Sequence, residues 1–310
     1  MIVFRNLTKN FRDVTAVSNL SFEIEKQEIF GLLGPNGAGK TTTLLMLASV
    51  LKPTSGTVIV DGFDVCKEPH RVRERLGLSF QEPVLDFRLS VEKNLDFHAE
   101  ACGIPKDKRR ELIREILEYL GMWDDRKKKA GKLSGGMKKK VEDAKLFIQK
   151  PKIAIFDEPT AYLDPPSRHK IWKRIKQLRE EGSTIILATN AMDEADLISD
   201  RVAIINKGKL VALDNPSKLK STIPGGEVIE IKVDGRIEPI KNTVKDYSDV
   251  AEVVTVKGAN TARIYVNHAE KILPLIMKRL FEQKVKVTGV DLKKPSLDDV
   301  FLHYTGALIE

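Results

Sequence analysis

The nine residues GPNGAGKTT (34–42) constrain this chain more than any other stretch. They follow the apolar run IFGLL and precede the helical run TLLMLASVL, so a strand, a glycine-rich loop and a helix meet there. Gly34, Gly37 and Gly39 let successive backbone N–H groups turn inward on phosphate oxygens, and the helix start adds partial positive charge. Lys40 supplies an ammonium to the β- and γ-phosphates of a nucleotide, and the Thr41 hydroxyl can ligate Mg²⁺. Pro35, Asn36, Ala38 and Thr42 complete the cradle.

A strand that delivers its tip to such a loop belongs in a sheet covered on both faces. Three further runs share the unbroken apolar character of IFGLLG (29–34): IAIFD (153–157), TIILAT (184–189) and VAIIN (202–206). Helical patterns separate them; Leu112, Ile116, Leu117 and Leu120 recur at helical spacing and stop at Gly121. The fold class expected is α/β. A helical subdomain at about 82–148, mostly charged amphipathic helix, interrupts the strand series.

The grammar changes after Leu219. STIPGGE reads as a linker at 221–227, and Ile229, Ile231 and Val233 then alternate with Glu230 and Lys232 like a half-exposed strand. EVVTV, ARIYV and KVKVTGV continue the pattern around one helical segment near 270–283, where Pro274 either kinks the helix or marks a later start. In the closing PSLDDVFLHYTG, Ser296 and Asp299 suit a capping box. The predicted plan is a nucleotide-binding domain over 1–220 and a small α+β domain over 228–310.

Composition narrows the setting. Apolar residues make up 42% of the chain, yet the longest apolar run, LLMLASVL, is too short to span a bilayer, and the N-terminus has no signal-like apolar core; a soluble, intracellular chain is expected. Cys66 and Cys102 lack metal-ligand spacing and read as ordinary thiols. With 52 Lys+Arg against 44 Asp+Glu the charge of +8 favours an acidic partner without choosing among nucleic acid, an anionic lipid surface and a polyphosphate. The basic runs 126–129 and 138–140 read first as a solvated helical face.

Two more motifs carry chemistry. IAIFDEP ends a strand in two carboxylates: Asp157 suits Mg²⁺, held through water or Thr41, and Glu158 suits a base for the attacking water. LSGGM, comprising Leu133, Ser134, Gly135, Gly136 and Met137, heads another helix. It reads either as a second nest of backbone donors for an anion or as a plain N-cap by Ser134.

GPNGAGKTT, Gln81 after LGLSF, LSGGM, IAIFDEPT, AYLDP and the strand ending at Asn190 resemble, in that order, the nucleotide-binding subunits of ATP-binding cassette (ABC) transporters. The likeness spans about residues 1–220 and implies a P-loop NTPase core. PSLDDVFLHYTG resembles the end of the extra domain on drug-export ATPases of the daunorubicin-resistance type.

The resemblance implies two subunits facing head to tail, each ATP lying between one chain's GPNGAGKT and the other's LSGG. Partners implied are a second nucleotide-binding subunit and integral membrane transporter subunits, with the chain cytoplasmic and peripheral on the inner face of the cell membrane. By the same likeness Gln81 ligates Mg²⁺ and water, Asp164 reaches across the dimer as well as capping a helix, and Phe11 stacks on adenine rather than serving as a plain core or surface residue.

One departure stands out. Asn190 occupies a position that is usually histidine in the family; an amide can donate to a phosphate oxygen but cannot carry a proton, so transition-state stabilisation weakens. Either Asn190 orients the γ-phosphate for slow hydrolysis, the reading preferred here, or this is the weaker half of a heterodimer. Rival functions are a nucleic-acid-directed ABC ATPase and a cytosolic assembly ATPase. No nucleic-acid partner is expected: the gap between phosphate loop and signature lacks the heptads of a coiled-coil arm, one motif copy is present rather than two, and the assembly reading leaves the C-terminal domain unexplained.

Overall fold

A computed structural model describes residues 1–235, 237–244, 247–256 and 260–306. The chain forms two compact units, Met1–Ala212 and Leu213–Glu310, parting ahead of the 221–227 stretch.

The first unit is built on a six-stranded sheet. Its strands are β3 (Ile29–Leu33), β6 (Leu76–Ser79), β7 (Ile153–Asp157), β8 (Thr184–Thr189), β9 (Arg201–Asn206) and β10 (Lys209–Asp214), in the order β10-β9-β3-β8-β7-β6. The pairs β3/β8, β3/β9, β7/β8 and β6/β7 are parallel. Every residue of β3, β7 and β8 is buried, which explains why these segments read as continuous apolar runs rather than alternating ones. A second sheet, absent from the predicted plan, joins β1 (Ile2–Phe11), β2 (Val14–Ile24), β4 (Ser55–Val60) and β5 (Phe63–Asp64) in the antiparallel order β2-β1-β4-β5.

Helices α1 (Lys40–Leu47), α2 (Pro69–Arg73), α6 (Pro165–Glu180) and α7 (Met192–Ile198) accompany the strands. Within the predicted helical region lie α3 (Val91–Ala101), α4 (Lys106–Tyr119) and α5 (Gly135–Gln149). Ser90 caps α3 by accepting the Lys93 N–H, and Gly121, at φ +69°, follows the end of α4 in the left-handed region that stops a helix. Ile113, Ile116 and Leu117 on α4, Phe147 on α5 and Ile171, Trp172 and Ile175 on α6 join one apolar core with Phe156 of β7.

In the second unit, β11 (Glu227–Val233), β12 (Val250–Val256), β13 (Thr261–Val266) and β14 (Val287–Lys293) form an antiparallel sheet ordered β12-β13-β11-β14. Its helices are α8 (Pro216–Ser221), α9 (Glu238–Val244), α10 (Ala269–Glu282) and α11 (Leu297–Thr305). Pro274 lies inside α10, where the buried stripe Ile272, Ile276 and Leu280 offsets the lost backbone bond by packing on Ile229, Ile231 and Ile264. At α11, Ser296 and Asp299 form the predicted capping box. Asp299 also accepts from Arg263 at 2.9 Å and from the Tyr265 hydroxyl at 3.1 Å, and Arg263 donates in turn to Glu230 at 3.0 Å.

Candidate active site

The C-terminal end of β3 turns into the glycine loop because two positions admit no side chain. A Cβ at Gly34 would sit 2.3 Å from the Ile205 carbonyl oxygen; at Gly39, whose φ is +102°, it would sit 2.4 Å from that of Ala16. Gly39 is the N-cap of α1 and offers no side-chain acceptor, so the first-turn amides remain available to an anion. The loop is braced by the Ala38 N–H donating to Pro35 at 3.1 Å and the Gly208 N–H donating to Ala38 at 2.9 Å.

Around this loop lies an open cleft of about 480 Å³. The structure brings Phe11, Pro35, Asn36, Gly37, Gly39, Lys40, Thr41, Thr42, Gln81, Asp157 and Glu158 to its walls, with Ala16 added. Phe11 ends β1 exposed at the rim of the cleft, with Lys9 Nζ 5.0 Å from the centre of its ring. Gly34 and the buried Ala38 stand behind the lining.

The charged groups converge at the tips of neighbouring parallel strands, the usual crevice for ligands in such sheets. Lys40 is buried; its Nζ donates to the carbonyls of Gly34 at 2.7 Å and Pro35 at 3.3 Å and stands 3.5 Å from Glu158 Oε1. Burial lowers its pKa, against the opposing pull of Glu158. Glu158 is raised by burial, an effect that Lys40 opposes and the carboxylates of Glu194 and Asp157 reinforce. A carboxylate raised this way is a stronger base toward water. The backbone of Glu158 lies at φ +49°, held by its N–H donating to the Ala188 carbonyl at 2.9 Å.

Thr41 Oγ1 donates to Asp157 Oδ2 at 2.8 Å. The other oxygen, Asp157 Oδ1, is buried without a hydrogen-bond partner. An orphaned carboxylate oxygen beside a hydroxyl and the Gln81 amide is a hard-oxygen donor set, and it fits Mg²⁺ bound directly or through water.

The remaining predicted residues lie elsewhere. Leu133 is buried, whereas Ser134 and Gly135 are exposed and Gly136 and Met137 half-exposed at the head of α5; none of 133–137 lines the cleft. Ser134 does act as an N-cap, its Oγ accepting the Met137 N–H at 3.3 Å. Asp164, exposed, takes the N-cap position of α6 ahead of Pro165, and Ser167 holds its carboxyl below the ordinary range. Half-exposed Asn190 follows β8 without lining the cleft, and its side chain has no partner among the described residues.

Three residues at the site were not singled out from the sequence. Thr189 Oγ1 donates to Glu158 Oε2 at 3.4 Å while accepting the Ala191 N–H at 3.0 Å. Glu194, fully buried, accepts from Thr160 at 2.9 Å and from the Trp172 ring N–H at 2.8 Å; burial raises its pKa above those bonds. Lys139 corrects the reading of 138–140 as a solvated face, for it is only 1% exposed and donates to the backbone carbonyl of Asp157. Periodicity could have found it: three residues after Gly136 on a helix with buried Val141, Glu142 and Asp143, it falls on the inward side.

Residues 17–161 match the family described as ABC transporter, and 215–305 match the family described as ATP-binding protein DrrA1-3-like, C-terminal domain. The linearmycin resistance ATP-binding protein LnrL of Bacillus subtilis is 31% identical, over 99% of this chain and 98% of the relative. The daunorubicin resistance ATP-binding protein DrrA2 of Streptomyces coeruleorubidus is 33% identical, over 97% and 93%. Among solved structures, a dimeric ATP-binding cassette in a post-hydrolysis state, bound to ADP and Pi, aligns with a TM-score of 0.65 at 25% identity, over 69% of this chain and 98% of that one. The cbiO1 protein of Clostridium perfringens, part of an ABC transporter complex, aligns with a TM-score of 0.62 at 32% identity, over 71% and 90%.

Proposed function

This chain belongs to the ATP-binding subunits of ABC transporters, which bind and hydrolyse ATP, and on that premise we propose that it energises an exporter as one half of an ATP-bridged pair. The exporter reading draws support from relatives whose names place them in linearmycin and daunorubicin resistance and in Nod factor export. Integral membrane subunits carry the cargo; no helix among the described residues is long and apolar enough to cross a bilayer.

The observation that carries the pairing is a separation within one chain. The phosphate loop, Gln81, Asp157 and Glu158 share one cleft, while Ser134 and Gly135 sit exposed at a helix head outside it. Donors arranged for an anion but remote from their own chain's phosphate site are completed by a second copy's nucleotide. Binding then glues two subunits and hydrolysis releases them.

Within each site Phe11 stacks on the base, and residues 34–42 hold the phosphates through backbone N–H groups and the Lys40 ammonium. Thr41, Asp157 and Gln81 would hold Mg²⁺, which would supply neutralisation of the charge on the β- and γ-phosphates. Glu158 takes the proton from the attacking water, and Asn190 donates to the γ-phosphate. Asp164 faces the second subunit.

The test is steady-state ATPase of the purified chain. Turnover that disappears in Lys40→Ala and rises in Asn190→His supports the reading. A wild type that is inactive even with its membrane partner would contradict slow hydrolysis by this chain and favour the weaker half of an asymmetric pair.

A further inference from the structure

We propose that Lys139 is a positioning residue for hydrolysis: its ammonium fixes the backbone carbonyls immediately ahead of Gln81 and Glu158, tying both walls of the cleft to the helix that carries the serine–glycine signature. The role assigned to those walls rests on the function proposed above.

An ammonium has three N–H donors and no acceptor. All three find oxygens: Phe80 carbonyl at 2.7 Å, Asp157 carbonyl at 2.8 Å and Ser79 Oγ at 3.3 Å. The two carbonyls have a common origin. Pairing between β6 and β7 runs from Leu76↔Ile153 to Ser79↔Phe156 and stops there, so the next carbonyl on each strand needs another donor. Lys139 supplies it to both where the strands part at the cleft.

The residue that follows each anchored carbonyl is a working one. Gln81 follows Phe80, and Glu158 follows Asp157 with its backbone in the left-handed region at φ +49°. Such a conformation persists only where surrounding bonds over-determine it, and the Lys139 bond to the preceding carbonyl is one of them. A point charge gripping two loops from one helix also moves them together, so a shift of α5 reaches the general base and the Gln81 amide at once.

The oxygens that accept from it explain how a buried ammonium is tolerated here. Asp143, one turn along α5 and fully buried, lies 3.6 Å from Lys139 Nζ and accepts from Ser79 Oγ at 2.5 Å. Neighbouring Lys138 is half-exposed, near the ring of Phe87. Of the three consecutive lysines only the middle one is built into the site.

The test compares wild type with Lys139→Met/Asp143→Leu, which removes both charges at similar volume and so avoids stranding a buried carboxylate. The double variant should remain folded at the assay temperature and keep its KM for MgATP within about twofold, while kcat falls about tenfold or more, the scale set by misplacing catalytic groups. In parallel, amide hydrogen exchange over 80–84 and 157–160 in the nucleotide-free protein should accelerate at least about tenfold, with the rest of the first unit unchanged. Unaltered kcat and exchange in the folded variant, or a loss confined to KM, would overturn the assignment. A wild type without turnover would count against the proposed function, while the exchange readout would still decide on Lys139.

Discussion

The two units of this chain treat buried charge differently. In the second, Asp299, Arg263, Glu230 and Tyr265 form one network, and no buried side-chain nitrogen or oxygen among the described residues of Leu213–Glu310 lacks a hydrogen-bond partner. In the first, such atoms on Arg75, Asp143, Asp157, Arg168, Glu194 and Ser199 are buried without one, and Glu158 holds a left-handed backbone. Unsatisfied polar atoms are costly inside a protein, and the one on a residue that lines the cleft, Asp157 Oδ1, marks where something else would complete the structure. The satisfied network marks a scaffold.

The sharpest way to separate the two is to remove one carboxylate from each. Glu158→Gln should lower turnover by about 10²–10⁴-fold, the range of general base catalysis, with MgATP affinity and thermal stability retained. Stability lost instead of turnover would make Glu158 structural and erase the contrast.

Asp299→Ala in the second unit should do the reverse. Removing this buried acceptor should cost about 1–3 kcal/mol, because the Tyr265 hydroxyl loses its partner, Arg263 keeps only Glu230 and the capping box of α11 loses its reciprocal half. Urea unfolding should show an early transition, with kcat unchanged in the folded protein. A loss under about 1 kcal/mol would show that the network is not a fastener.

Acidity offers a finer probe. Burial pushes the Asp143 carboxyl from its ordinary 3.8 up to about 7, outweighing Lys139 and the Ser79 hydroxyl. A group that holds its proton more tightly when folded stabilises fully below its unfolded value and loses that contribution as pH rises through its folded one. Wild-type stability should therefore decline between about pH 4 and pH 7, and Asp143→Asn should flatten that slope. An unchanged slope would show that burial does not hold a proton on Asp143.

The smallest effect concerns the cleft's rim. Phe11→Ala should weaken ATP binding by about 0.5–1.5 kcal/mol, roughly two- to tenfold, without altering kcat. Equal affinity would make Phe11 a surface residue.

Much of this was legible beforehand, for stated reasons. β3, β7 and β8 are buried on every residue and so read as unbroken apolar runs, and the glycine loop and capping box are local patterns that chemistry alone explains. What escaped depends on distant partners. The sheet of β1, β2, β4 and β5 was missed because register shifts and left-handed Asn6 and Asn19 break the alternation that marks a strand. Lys139 hid inside a basic run, since nothing adjacent to it shows that the oxygens it holds come from residues 79, 80 and 157. Asn190 was visible as a departure, but its standing outside the cleft lining required coordinates.

The central claim is that a nucleotide bound at one chain's phosphate loop is completed by the serine–glycine patch of another. Sedimentation velocity on Glu158→Gln, with and without MgATP, tests it most directly, paired with the same protein carrying Ser134→Arg. The first protein should shift from monomer to dimer with MgATP and the second should not, although both bind nucleotide. A protein that stays monomeric with saturating MgATP, or a dimer indifferent to the change at Ser134, would contradict it.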